Sequence, residues 1–136
     1  MTVTLKKMHF DAFVNHACSV LPNEACGLIA GRLESGAAFV EKIYLLTNTD
    51  QSPEHFSIDP KEQLAAVKDM RVLGLAPLGN VHSHPSSPAR PSQEDIRLAH
   101  DPKASYLILS LAQEEPVMKA FEIAGGAAAE REIKII

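Results

Sequence analysis

The sequence predicts a mixed α/β fold with one sheet and about three helices, from three features. Apolar residues recur at helical spacing around residue 10. A helix-start signal stands at Asp59-Pro60. Short runs rich in β-formers, bounded by turn residues, lie between and after these helices. The 136 residues are 46% hydrophobic and 22% charged, enough for one domain with a real core, so residues 1–136 read as a single domain.

Phe10, Phe13, Val14, Ala17 and Leu21 place an amphipathic helix near residues 6–20, which Pro22 ends. Ala25 to Leu33 reads as a buried strand, with small residues in Gly27-Leu28-Ile29-Ala30-Gly31 where backbones approach closely. Glu34-Ser35-Gly36 turns the chain into a second strand, Ala38 to Leu46, rich in Phe39, Val40, Ile43 and Tyr44. Thr47 to Pro53 is polar and irregular, and Phe56-Ser57-Ile58 is a short extended piece. Asp59 caps a second helix, with Pro60 at its first position and Glu62 completing a capping box. That helix runs to about Leu73, where Gly74 stops it.

Leu78 to His82 is the next strand. Pro85, Pro88 and Pro91 stiffen the loop after it. Ser92 starts a short third helix ending near His100. Tyr106 to Leu111 is an apolar strand, and Gln113-Glu114-Glu115-Pro116 turns into another, Val117 to Ile123. Gly125-Gly126 and the alanines after it form a flexible break before a last edge strand, Glu132 to Ile136. The apolar run Ile133-Lys134-Ile135-Ile136 either closes the sheet or pairs with a second copy, as in a homodimer.

Charge and composition exclude several functions. A net charge of −4 argues against nucleic-acid binding, which needs a basic face. No apolar run approaches the ~20 residues of a membrane span. Met1-Thr2-Val3-Thr4-Leu5-Lys6-Lys7 is not followed by the apolar core of a signal peptide, so a cytoplasmic location is expected. Cys18 and Cys26 then stay reduced, and two cysteines at this spacing do not make a structural zinc site.

The densest chemistry lies in His82-Ser83-His84-Pro85 and Ser92-Gln93-Glu94-Asp95. His82 and His84 are two residues apart, so in a regular strand both imidazoles face one side. Ser92 and Asp95 match a capping box, and Asp95 in the first helical turn is held ionised by the helix dipole. Two imidazoles and a carboxylate can bind one zinc ion and leave a position open, the ligand pattern of a catalytic site. An isolated His-x-His favours a local hydrogen-bonded pair instead. With Ser92 and Asp95 at this spacing, the combination arises by chance in roughly a few chains per ten thousand of this length. Glu24, in Asn23-Glu24-Ala25-Cys26-Gly27, is by itself an ordinary loop carboxylate.

His-x-His-Pro, seven residues to Ser, two more to Asp, and an upstream Glu resemble the JAMM signature of the MPN-plus metalloproteases. Glu24-Ala25-Cys26-Gly27-Leu28-Ile29-Ala30-Gly31 is similar to the glutamate strand of their small stand-alone prokaryotic members. The resemblance runs from the first helix to Tyr106–Leu111 and implies a curved sheet flanked by helices, related to the cytidine deaminase fold. The Pro-Cys-x-x-Cys segment of a deaminase is absent. The resemblance further implies that His82, His84 and Asp95 bind one zinc ion. Glu24 is then the general acid/base and Ser92 the donor to the developing oxyanion.

The resemblance also implies an amide hydrolase acting after the C-terminal Gly-Gly of a ubiquitin-like, β-grasp sulfur carrier, removing C-terminal residues or an attached cysteine. The chain lacks the long insertions that build ubiquitin specificity in larger members. The alternatives are a general ubiquitin-like isopeptidase, a zinc-retaining scaffold without activity, and a hydrolase using Cys26 as nucleophile. Ser83, Ser86, Ser87 and Arg90 lie in the same stretch, where they could touch substrate. His9, His16, His55 and His100 show no ligand spacing.

Overall fold

The computed structural model describes residues 1–136. The elements are β1 (Thr2–Leu5), α1 (Lys7–Ser19), β2 (Cys26–Glu34), β3 (Ala37–Leu46), α2 (Pro60–Leu73), β4 (Ala76–His84), α3 (Gln93–Arg97), β5 (Ser105–Ser110), β6 (Val117–Ala124) and β7 (Ala127–Ile135). The mixed α/β class with three helices is as expected. The expected curved sheet curves far enough to close, as β1-β3-β2-β4-β5-β6-β7 and back to β1.

Closure depends on two segments whose local sequence does not mark them as strands. β1 pairs parallel with both β3 and β7, so Val3 faces Ala38 on one side and Ile133 on the other. Gly125-Gly126 is a tight two-residue turn rather than a flexible break. Both glycines have positive φ (59° and 76°), the conformation that matches the twist of a hairpin. The alanines after it therefore begin β7, which pairs with β6 and β1 and is not an edge. Ile133–Ile136 thus closes the sheet, and the Ile136 N–H donates to the Leu5 carbonyl at 3.0 Å. No helix is long and apolar enough to cross a membrane.

Alternation sorts the strands' side chains into two layers. Val3, Leu5, Ile29, Ala38, Val40, Val81, Leu107, Leu109 and Ala120 form the main core with Phe13 and Ala17 of α1. On the other face of the sheet, Ala30 packs under Ala66 and Met70 of α2. Tyr106, Ile108, Phe121 and Ile123 pack with Ala89 and with Ile96 of α3. The close approach expected at Gly27 and Gly31 is present: a Cβ at either would collide with the carbonyl of Tyr44 or Phe39.

Two helix details differ from expectation. Asp59 caps α2 by accepting from the Lys61 and Glu62 N–H groups, but Glu62 does not complete a capping box. Its carboxylate instead accepts from the Thr47 N–H (2.8 Å) and hydroxyl (2.7 Å), tying α2 to the end of β3. α3 stops at Arg97 rather than near His100.

Candidate active site

β4 runs through His84, two residues beyond the expected end of the strand, because β5 pairs with it as far as His84–Ser110. Regular strand geometry therefore holds at both histidines, and their rings share the face that carries α2 and α3. The Nε2 atoms lie 3.2 Å apart. Asp95 Oδ2 is 3.3 Å from His82 Nε2 and 3.1 Å from His84 Nε2.

Asp95 reaches this point from the first turn of α3. The capping box is complete: the Asp95 N–H donates to Ser92 Oγ (3.0 Å) and the Ser92 N–H donates to Asp95 Oδ2 (2.9 Å). Capping and ligand geometry thus coexist in one carboxylate. Burial alone would raise the Asp95 carboxyl, but hydrogen bonds from His82, His84 and the Ser92 N–H outweigh it and hold the group well below the usual range.

The two imidazoles are fixed differently. His84 Nδ1 lies 2.8 Å from the Pro88 carbonyl, which can only accept. Nδ1 therefore donates there, so the neutral ring would offer its Nε2 lone pair to an ion at the shared centre, whereas the protonated ring donates to Asp95. The proline-stiffened loop supplies that carbonyl, and Ser110 Oγ donates to the neighbouring Ser87 carbonyl at 2.6 Å. His82 has no such partner at Nδ1; its ring is stacked on Phe56, centroids 4.6 Å apart at 27°. Burial lowers the His82 pKa, favouring the neutral ring that a metal requires. For His84, burial acts in the same sense, but Asp95 and the Pro88 carbonyl overcome it and raise the pKa.

These three donor atoms lie within 4.8 Å of one another. Two borderline nitrogen donors and one carboxylate oxygen, with only three protein ligands, are a set that fits zinc with an open position. A single carboxylate with two imidazoles suits a hard, six-oxygen cation poorly.

Glu24 lies just before β2, which pairs with β4 at Cys26–His82. It is 3% exposed, and its Oε1 has no partner. Burial, with smaller contributions from Asp95, Glu94 and Glu54, pushes its carboxyl up to about 8 against the pull of His84. Its backbone is gripped on both sides: the Glu24 N–H donates to the Ser52 carbonyl (2.8 Å), and Asn48 Nδ2 donates to the Glu24 carbonyl (3.0 Å). A buried, unpaired carboxyl beside three metal-type ligands is a candidate proton carrier.

The remaining expectations sort cleanly. Ser92 is exposed. Its Oγ accepts from Asp95, which leaves the hydroxyl proton free to donate outward. Ser83 does not face the loop. It is fully buried on the opposite side of β4, where its Oγ accepts from the Ala25 N–H at 2.8 Å, next to Glu24. The two-residue alternation that aligns His82 and His84 also points Ser83 the other way. Burial raises the Cys26 thiol to about 12, and its Sγ faces the Leu46 carbonyl, so no thiolate nucleophile is available at neutral pH. His16 bonds the Leu46 carbonyl and His55 pairs with Asp50; neither joins the centre. Phe56 and Asn48 were not singled out in the sequence, because both act from a loop that becomes adjacent only on folding.

A cleft of about 230 Å³ opens from His82 and Asp95 between α2 and α3. Asn80, Tyr106, Ile108 and Ile123 form its floor, with Phe56 and Ile58 on one side and Leu98 and Ala99 on the other.

Residues 6–124 match the family described as prokaryotic homologs of the JAB domain. The chain is 32% identical over 127 residues to a CysO-cysteine peptidase of Mycobacterium tuberculosis, covering 93% of this chain and 86% of that one. It is 40% identical over 85 residues to a probable TtuB-protein conjugate cleaving protease of Thermus thermophilus, covering 62% and 54% of the two chains. A solution structure of a protein from Desulfitobacterium hafniense superposes with a TM-score of 0.91 at 55% identity, covering 98% of this chain and 92% of that one.

Proposed function

The chain belongs to the family of prokaryotic homologs of the JAB domain, and from that premise we propose that it is a zinc-dependent peptidase of ubiquitin-like carrier proteins. Its substrate in this reading is a β-grasp sulfur carrier. It hydrolyses the amide bond after the carrier's C-terminal Gly-Gly and removes C-terminal residues or an attached cysteine. The observation that carries the reading is the buried, unpaired Glu24 carboxyl beside His82, His84 and Asp95. A scaffold would have no use for a carboxyl held in so unfavourable a place.

His82, His84 and Asp95 would hold the ion. Zinc bound there supplies a Lewis acid that polarises the scissile carbonyl and acidifies water. Glu24 takes the proton from the attacking water as the oxygen adds to the carbonyl carbon. It returns a proton to the amine nitrogen as the C–N bond breaks; such transfer contributes ~10²–10⁴-fold. The outward-facing Ser92 hydroxyl donates to the carbonyl oxygen as negative charge builds on it. No covalent acyl-enzyme is required.

In this reading the substrate has a direction, which the strand order supports. β4 lies between β2, which Glu24 precedes, and β5, which floors the cleft. The amine leaves on the Glu24 side, so the acyl tail lies on the cleft side. Two glycines let the tail backbone pass close to the histidines, and apolar residues upstream of them fill the cleft. The relative that is a CysO-cysteine peptidase supports a small leaving group. A second reading, release of the carrier from a protein conjugate, is favoured by the relative described as a conjugate cleaving protease.

The test is mass spectrometry of a β-grasp carrier extended past Gly-Gly, incubated with the protein, with protein plus chelator, and with Glu24→Ala. Cleavage directly after Gly-Gly that is lost in both controls is the expected result. An intact carrier despite one bound zinc per chain overturns the carrier assignment.

A further inference from the structure

We propose that Asn48 is a positioning residue that locks the general acid/base and the aromatic cover of the metal site into one rigid unit. The proposal rests on the reading of Glu24 as the proton carrier. Asn48 stands at the mouth of the 47–59 loop, where it forms an isolated antiparallel bridge with Ile58. Its amide makes four hydrogen bonds. Nδ2 donates to the Glu24 carbonyl (3.0 Å) and the His55 carbonyl (3.1 Å). Oδ1 accepts from the Asp50 N–H (3.0 Å) and the Ser57 N–H (3.1 Å). That is the full capacity of a primary amide.

The pattern also fixes the side chain's orientation and identity. Both partners of Nδ2 are carbonyls and both partners of Oδ1 are N–H groups, so turning the amide over would break all four bonds. A carboxylate keeps the two acceptor bonds inside the loop and loses both donor bonds. A glutamine carries one methylene more than this span accommodates.

What the amide joins is functional at both ends. One bond ends on the carbonyl of Glu24. The others close the loop around Phe56, whose ring stacks on His82 at 4.6 Å. His82 is held at Nε2 by Asp95 but has no hydrogen-bond partner at Nδ1, so the stacking restrains the side of the ring that no hydrogen bond reaches. The loop returns a second grip on Glu24 through the Ser52 carbonyl. Releasing Asn48 therefore loosens the acid/base and the cover of a ligand together. A misplacement of ~1 Å at such a group costs on the order of 10²-fold in rate.

The experiment compares Asn48→Asp, Asn48→Ala, Ser57→Ala and Glu24→Gln on the extended carrier, each loaded with zinc and its metal content measured. Ser57→Ala removes a bond of the same loop, Ser57 Oγ to Asp50, that does not reach Glu24. Expected are a fall in kcat of ~10–100-fold in both Asn48 variants with KM nearly unchanged, one zinc per chain retained, and Ser57→Ala close to the parent. The chain has no tryptophan, so Phe56→Trp provides a single fluorophore over His82. Its emission should shift to the red and quench more readily when Asn48→Asp is added. Parent-like kcat in both Asn48 variants, an effect confined to KM, or an unmoved fluorophore overturns the proposal. If Glu24→Gln retains full activity, the reading of Glu24 fails instead; an inactive Glu24→Gln with active Asn48 variants refutes this inference alone.

Discussion

The His-His-Asp corner and the Glu24 corner face each other across β2 and β4, yet they are built on opposite principles. His82, His84 and Asp95 lie within fourteen residues of chain and satisfy one another: each polar atom at the centre has a partner there. Glu24 comes from 58 residues before His82 and is buried with one carboxyl oxygen unpartnered. Its place is set by its N–H donating to the Ser52 carbonyl, by Asn48 donating to its own carbonyl and, through Ala25, by the Ser83 acceptor. The ligand corner is locally coded and electrostatically content. The Glu24 corner is assembled by long-range contacts and holds a buried carboxyl without a full set of partners, which suits the proton-carrying role proposed for it.

Breaking the ligand corner should have the larger effect. His84→Ala removes a donor and should abolish measurable hydrolysis together with stoichiometric zinc, with metal content read by atomic absorption or mass spectrometry. Full zinc occupancy in that variant would exclude His84 as a ligand.

Glu24→Gln should separate the corners. Hydrolysis should fall by ~10²–10⁴-fold while one zinc per chain stays bound. The same variant should make the metal-free protein more stable, in a pH-dependent way. Folding raises the Glu24 carboxyl from 4.5 to about 8, so the folded state holds a proton that the unfolded chain releases between those values. The parent's metal-free stability therefore declines as pH rises through that window, relative to the Gln variant. Thermal midpoints should coincide below pH ~4.5 and diverge by several degrees near pH 8, where ~1 kcal/mol shifts the midpoint by a few degrees. Superimposable midpoints across the range would show that the carboxyl is not strained.

Ser92→Ala probes the link between chemistry and capping at the ligand corner. Loss of the oxyanion donor should lower kcat by ~10²–10³-fold, and loss of the cap should reduce stability by about 1 kcal/mol. Ser92→Asp restores a capping acceptor that has no proton to donate. If it also restored the rate, the hydroxyl would have no role in the chemistry.

The smallest effect is expected at Ser83. Ser83→Ala leaves the buried Ala25 N–H without its acceptor, at about 1–3 kcal/mol. It should lower the thermal midpoint and reduce kcat modestly through Glu24, with zinc stoichiometry intact. A variant with unchanged midpoint would remove Ser83 from the scheme that holds Glu24.

Much of the molecule could be read directly from the sequence. Helical periodicity placed α1, Asp59-Pro60 and Gly74 bounded α2, and β-rich runs located β2 to β6, because each signal is carried by residues adjacent in the chain. Strand alternation put His82 and His84 on one face and the capping box put Asp95 in the first turn of α3, whereas the meeting of that carboxylate with both imidazoles is a contact between α3 and β4 made on folding. Tertiary structure alone decided the rest. Closure of the sheet required β1 and β7 to meet from opposite ends of the chain, which no local pattern specifies. The Glu62 carboxylate left its own helix cap for Thr47 because folding brought a competing donor within reach. Glu24 became a buried carboxyl with an unpartnered oxygen only when the 47–59 loop and Ser83 closed around its backbone. Backbone propensity and side-chain period act over a few residues, whereas burial and the sharing of hydrogen-bond partners are properties of segments that meet only in the folded chain.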